Sequence, residues 1–263
     1  MKIIRQARLY LSPYILIYQM GKVGSSSIYT SLKEKGVPKV FHLHRMNPEA
    51  NERMKRTFLE NNLVNQLHTE QHFEAIYKKA IQRKKKVKII TLVREPISRN
   101  ISAFFENLPY KSDSSAYVNG VNIPELAERF MNEYPHNVPI DWFDHEMKVV
   151  TGIDVFSKEF DYSEKFQRYQ NKNIQVLLMR TDLEDQRKAS LIKRFLKIKD
   201  LQIARSNVAE KKDYGKVYEM FKRQICLPES YIDNMLQSKY ATHFYSSKEI
   251  ELIRKKWLRT YDT

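Results

Sequence analysis

The chain has 263 residues, 42% of them hydrophobic, enough to bury a core and to exclude a disordered or low-complexity protein. Lys and Arg number 46 against 31 Asp and Glu, a formal charge of +15 that concentrates anions: nucleic acid, phosphorylated nucleotides, acidic glycans or a membrane surface. The single cysteine, Cys226, excludes an internal disulfide framework and a cysteine-based zinc site, and it suits a reducing, cytoplasmic compartment.

Met1 to Arg8 is basic, is followed by no small-residue cleavage site, and reads as the lead-in to a strand. No apolar run approaches the ~20 residues of a membrane span, so no transmembrane segment is expected. Tyr14–Tyr18 is a continuous β-rich apolar run, the pattern of a strand buried on both faces of a parallel sheet. Gln19 to Gly24 breaks it, and Ser25 to Lys35 reads as a helix ended by Gly36 and Pro38. A second strand is expected over Lys39–His44, polar and basic helix over Glu49–Arg83, and a third strand over Val87–Val93. A helix follows Pro96, a polar surface loop spans Pro109–Asn122, and a fourth strand over Asn173–Met179 precedes a helix over Leu183–Leu196. Residues 204 to 263 read as helices. The alternation implies one α/β domain over residues 1–263, with a parallel sheet flanked by helices and a helical C-terminal part. The run Arg83–Lys86 reads as a solvated helix end.

Three clusters carry chemistry. Met20-Gly-Lys-Val-Gly-Ser-Ser-Ser27 joins the first strand to its helix. Backbone N–H groups from Val23 to Ser27 and the helix dipole make an anion site, with Lys22 as a mobile charge and Ser25, Ser26 and Ser27 as hydroxyl donors. The structural alternative is a plain N-cap of serines. The loop is not a Walker A sequence, because Lys22 precedes Gly24 and no lysine follows it. Second, Arg94-Glu-Pro-Ile-Ser-Arg-Asn-Ile-Ser102 runs from a strand end into a helix, and an arginine fork with a hydroxyl suits a phosphate. Third, His42 and His44 alternate on a strand and so share a face, where either could serve as a general base. His44 is the preferred base, since it lies nearer the carboxyl end of the strand. Metal binding is the competing reading, but no third ligand stands at useful spacing, and no metal is expected.

The early lysine followed by hydroxyls, and the spacing Arg-x-Pro-x-x-Arg-x-x-Ser at Arg94–Ser102, resemble the sulfotransferases that use 3′-phosphoadenosine 5′-phosphosulfate (PAPS). The His-x-His pair resembles the uronyl 2-O-sulfotransferase group, where a histidine replaces a glutamate base. Trp142–Glu146, Gly152–Phe156 and Lys239–Ser247 resemble a bacterial family of capsular polysaccharide synthesis proteins that is itself sulfotransferase-like. Asn207–Tyr218 resembles a late segment that closes over the nucleotide in many sulfotransferases, with Lys211, Lys212 and Tyr214 as contacts. The resemblance implies a P-loop-like sulfotransferase fold and transfer of a sulfuryl group from PAPS to a hydroxyl of a glycan, with PAP as product. In that reading Lys22 and Val23–Ser27 hold the phosphosulfate, Arg94 and Ser102 the 3′-phosphate, His44 is the base and His42 orients the base or the acceptor. The positive charge suits an anionic acceptor. The alternative is a nucleotide- or nucleic-acid-binding protein on the same scaffold, but no RNA-binding aromatic motif is present and no specific nucleic-acid partner is expected.

Overall fold

The computed structural model describes residues 12–60, 67–107, 122–203 and 214–258. The expected lead-in at Met1–Arg8, the loop expected after Pro109 up to residue 121, and Lys211 and Lys212 lie outside the described residues. The strands are β1 (Tyr14–Tyr18), β2 (Val40–Leu43), β3 (Val87–Val93), β4 (Phe166–Asn171) and β5 (Ile174–Arg180). The helices begin with α1 (Ser26–Glu34), α2 (Pro48–Glu60) and α3 (Leu67–Ile76), the last continuing as a π-helical run over Tyr77–Gln82. Next come α4 (Pro96–Asn107), α5 (Ile123–Glu133) and α6 (Val138–Trp142), joined by a π-helical run, Phe143–Lys148, to α7 (Val149–Thr151). The last five are α8 (Asp185–Leu196), α9 (Gly215–Gln224), α10 (Glu229–Leu236), α11 (Lys239–Phe244) and α12 (Ser247–Trp257). The chain groups into two compact units, residues 1–93 with 142–204 and residues 94–141 with 205–263.

The first unit holds the sheet, in the order β2-β1-β3-β5-β4. β1, β2, β3 and β5 run parallel, so this is a mostly parallel α/β sheet flanked by helices. Leu16, Ile17, Ile89, Ile90, Val176 and Leu177 are fully enclosed, which is why these strands read as unbroken apolar runs. β4 pairs antiparallel with β5 at the sheet edge. Its sequence, Phe-Gln-Arg-Tyr-Gln-Asn, is mostly polar because only Tyr169 is buried, so it carries no strong strand signal. The second strand stops at Leu43, one residue short of His44.

The second unit is helical. Its core joins Phe104 and Phe105 of α4, Phe130 of α5, Phe221 of α9, Ile232 of α10 and Trp257 of α12. Asn122 caps α5 by accepting from the Glu125 N–H, and Ser246 with Glu249 forms a reciprocal capping box on α12. Among the described residues no helix is long and apolar enough to cross a membrane.

Candidate active site

In the first unit β1 and β2 lie side by side in parallel, with Ile17 opposite His42 and Tyr18 opposite Leu43. Both strands therefore deliver their next residues to the same carboxyl edge, where open α/β sheets place their sites. From β1 comes the loop Gln19–Ser25. Gly21, Lys22 and Gly24 all take left-handed backbone, at φ +79°, +59° and +74°. Glycine suits two of these positions, and the third holds a lysine in a conformation that costs an L residue about 1 kcal/mol. α1 begins directly after the loop, and the Ser25 side chain makes no capping hydrogen bond to it. The serine N-cap alternative is thus not what the structure forms.

Ser25 Oγ instead lies 2.9 Å from His42 Nε2 and accepts from Gln19 Nε2 at 2.6 Å. Gln19 Nε2 is also 3.1 Å from His42 Nε2. Burial, and secondarily the neighbouring His44, push the His42 imidazole down to about 4, so it is neutral at physiological pH. Gln19 is 1% exposed, and its Oε1 has no partner among the described residues. A buried amide oxygen left so is costly and is ready to accept from a donor that enters the loop.

His44 stands against the loop. A Cβ on Gly21 would lie 3.7 Å from His44 Cε1, and the His42 and His44 ring centroids are 4.9 Å apart. His44 Nδ1 lies 3.0 Å from the Gln19 carbonyl oxygen. A carbonyl only accepts, so Nδ1 carries the proton and Nε2 is the basic nitrogen of the neutral ring. The structure places the loop that carries Lys22 and Val23–Ser25, and the start of α1 with Ser26 and Ser27, beside His42 and His44. It adds Gln19, whose signal was a polar residue closing an apolar strand.

A second layer fixes His44. The Trp142 indole N–H donates to the His44 carbonyl at 3.0 Å. Glu146, on the π-helical run, accepts through Oε2 from the Tyr18 hydroxyl at 2.5 Å and from the Met46 and Asn47 N–H groups at 2.9 and 3.0 Å. The buried Glu146 forms no ion pair among the described residues; burial raises its pKa while these donors oppose the rise. Thr181, at the end of β5, donates to the Val93 carbonyl at 2.6 Å, and its methyl group would lie 3.5 Å from a Cβ on Gly24.

In the second unit Arg94 opens the segment before α4. Its N–H donates to the Tyr240 hydroxyl at 3.1 Å, and that hydroxyl donates to the Arg94 carbonyl at 2.8 Å. The Glu95 carboxylate accepts from the Ile97 and Ser98 N–H groups at 2.9 and 2.8 Å, so it occupies the N-terminus of α4. Any anion recognition here falls to side chains rather than to the helix amides. Ser102 is buried on α4, and buried Arg99 donates to Tyr134 and Asn100. Tyr214 donates to Glu106 at 2.8 Å and packs against Phe105 and Tyr218.

Residues 118–246, just under half the chain, match the NKWYS family, described as putative capsular polysaccharide synthesis protein. Over that stretch the chain is similar to this family. The matched stretch includes Trp142, Glu146, Lys211, Tyr214 and Tyr240, and it excludes the Lys22 loop, both histidines, Arg94 and Ser102. No curated protein and no solved structure matches the chain.

Proposed function

We propose that the protein is a sulfotransferase that moves a sulfuryl group from PAPS to a hydroxyl of a glycan in capsular polysaccharide synthesis. The observation that carries this reading is the loop Gln19–Ser25 at the carboxyl edge of β1, with His44 against it. Left-handed residues at Gly21, Lys22 and Gly24 turn the backbone ahead of a helix N-terminus that Ser25 leaves uncapped, which suits an anionic phosphosulfate. The match to a polysaccharide synthesis family supports a glycan as acceptor.

In this mechanism PAPS is a substrate. The acceptor oxygen attacks sulfur as its proton passes to His44 Nε2. The bond from sulfur to the bridging phosphate oxygen breaks, and PAP leaves as an anion. Lys22 and the amides of Val23–Ser27 stabilise charge on the leaving oxygens. His42 stays neutral and, through Ser25 and Gln19, orients the loop. Arg94 and Ser102 are assigned to the 3′-phosphate by their motif spacing alone, and Lys211 and Tyr214 to the nucleotide by resemblance alone.

Calorimetry with PAP, adenosine 5′-phosphate and ATP with magnesium tests the reading. PAP should bind most tightly, and Arg94→Ala should weaken it by about 1.5–3 kcal/mol, the worth of a charged hydrogen bond. Equal binding of PAP and adenosine 5′-phosphate would end the assignment.

A further inference from the structure

The first unit carries a second charged feature, at the amino-terminal ends of the parallel strands, away from the Lys22 loop. The turn before β3 exposes Arg83, Lys84, Lys85 and Lys86, and the turn before β5 exposes Lys172. The two turns are joined: the Val87 N–H donates to the Asn173 carbonyl at 3.0 Å, and the Asn173 side chain donates to the Lys85 carbonyl. Beside them Lys88 of β3 and Arg168 of β4 flank Phe195 of α8, at 5.1 and 6.0 Å from its ring centroid. Lys197, exposed at the end of α8, adds a further charge near Lys88. Burial first, then Lys197 and Arg168, lower the Lys88 pKa, as expected where like charges crowd.

Lys84, Lys86, Arg168, Lys172 and Lys197 form no ion pair among the described residues, and Asp200, the acid nearest Lys197 in sequence, pairs with Lys35. Lys84, Lys172 and Lys197 also hold left-handed backbone, at φ 48°, 50° and 60°. Glycine or asparagine is easier there, so charge sits where local conformation favours other residues.

We infer that this edge is a second binding surface, one that holds an acidic polysaccharide chain. Three observations favour a glycan over the other polyanions. Among the described residues the exposed large apolar side chains Leu59, Val149, Tyr162, Met220, Leu252 and Leu258 lie on other segments, so the described part of the edge presents no fully exposed large apolar side chain to a bilayer. The aromatic rings described beside this edge, Tyr14 and Phe41, are half-buried and stack on each other, with Lys39 over the Tyr14 ring, so among the described residues RNA bases meet little free ring face. Gln170 and Gln175, paired across β4 and β5 in register with Lys88, add amide groups that suit sugar hydroxyls. The inference rests on the sulfotransferase reading only for the origin of the polymer's charge: each transfer makes the chain more acidic, and this edge would retain it.

The test is titration with dextran sulfate, with uncharged dextran of equal length as control, at 150 mM salt. The rim variant combines Lys84→Asn, Lys86→Ser, Lys172→Asn and Lys197→Asn, since asparagine tolerates left-handed backbone. A control variant removes the same charge elsewhere through Lys158→Ser, Lys216→Ser, Lys248→Ser and Lys255→Ser. The native protein should bind dextran sulfate and not dextran. The rim variant should lose at least roughly tenfold in affinity, the control should keep it, and both should bind PAP normally. Equal losses in the two variants, or none in the rim variant, would overturn the surface. So would loss of binding to phosphatidylserine vesicles or to RNA without loss of dextran sulfate. Failure of PAP to bind while the rim effect persists would remove the sulfotransferase reading and leave the surface standing.

Discussion

His42 and His44 lie two residues apart, and their surroundings separate them. His42 is packed against Ser25 and Gln19 and stacks on Tyr29, whereas His44 lies against Gly21 and lends Nδ1 to a backbone carbonyl. For His42 the folded pKa of about 4 lies below the ordinary ~6.5, so the unfolded chain binds the extra proton first. Its stabilising contribution is complete above pH 6.5 and is lost as pH falls toward 4. Urea melts of the native protein should lose up to about 1.4 kcal/mol per pH unit in that window from this residue, and His42→Gln should flatten the slope. No change in slope would show that the ring is hydrated. Lys22 and His44 call for kinetics once an acceptor is in hand. His44→Ala should lower turnover by about 10²–10⁴ with PAP affinity kept. Lys22→Ala should lower turnover more than PAP affinity, because the charge it meets develops in transfer. The pairing of His42 with His44 was legible as a two-residue alternation. Gln19 and Ser25 as their partners were not, because hydrogen bonds between β2 and the β1 loop depend on strand order, which local pattern leaves open.

β1, β3 and β5 were legible because they are apolar on both faces, and α1, α4 and α8 because their boundaries carry Pro, Gly or charge signals. β4 was not legible, because an edge strand needs only one buried face and here buries little more than Tyr169. The π-helical run Phe143–Lys148 was equally hidden. Its consequence is local: Glu146 from this run ties β1 to the segment after β2. Glu146→Ala would leave the Tyr18 hydroxyl and the Met46 and Asn47 N–H groups buried without an acceptor. The expected loss is about 2–4 kcal/mol of stability in thermal or urea melts. Glu146→Gln, which keeps an oxygen at the same reach, should recover much of it. If the two variants melt alike, the hydrogen bonds are not what holds this segment. A proton-nitrogen NMR spectrum of the histidine rings should report a shifted His44 in Glu146→Ala alone.

Over the whole chain the formal charge of +15 is a standing self-repulsion. Raising sodium chloride from 20 to 200 mM shortens the Debye length to below about 10 Å, so the melting temperature should rise by a few degrees. The rim variant, with less to screen, should rise less. A flat response in the native protein would mean that its surface ion pairs already balance the excess. The sign of this charge was legible from composition, whereas its gathering at the starts of β3 and β5 required the turns to be seen side by side.

Among the described residues every non-glycine position with left-handed backbone is a lysine: Lys22, Lys39, Lys84, Lys165, Lys172 and Lys197. The usual route to a hardier protein replaces such residues with glycine or asparagine, gaining up to about 1 kcal/mol at each. Applied here, that route would remove six positive charges, one from the loop Gln19–Ser25 and three from the edge at the starts of β3 and β5. Thermostability and polyanion capture are therefore opposing objectives for this sequence. A selection for heat resistance alone should drift toward a sturdier chain that no longer retains dextran sulfate.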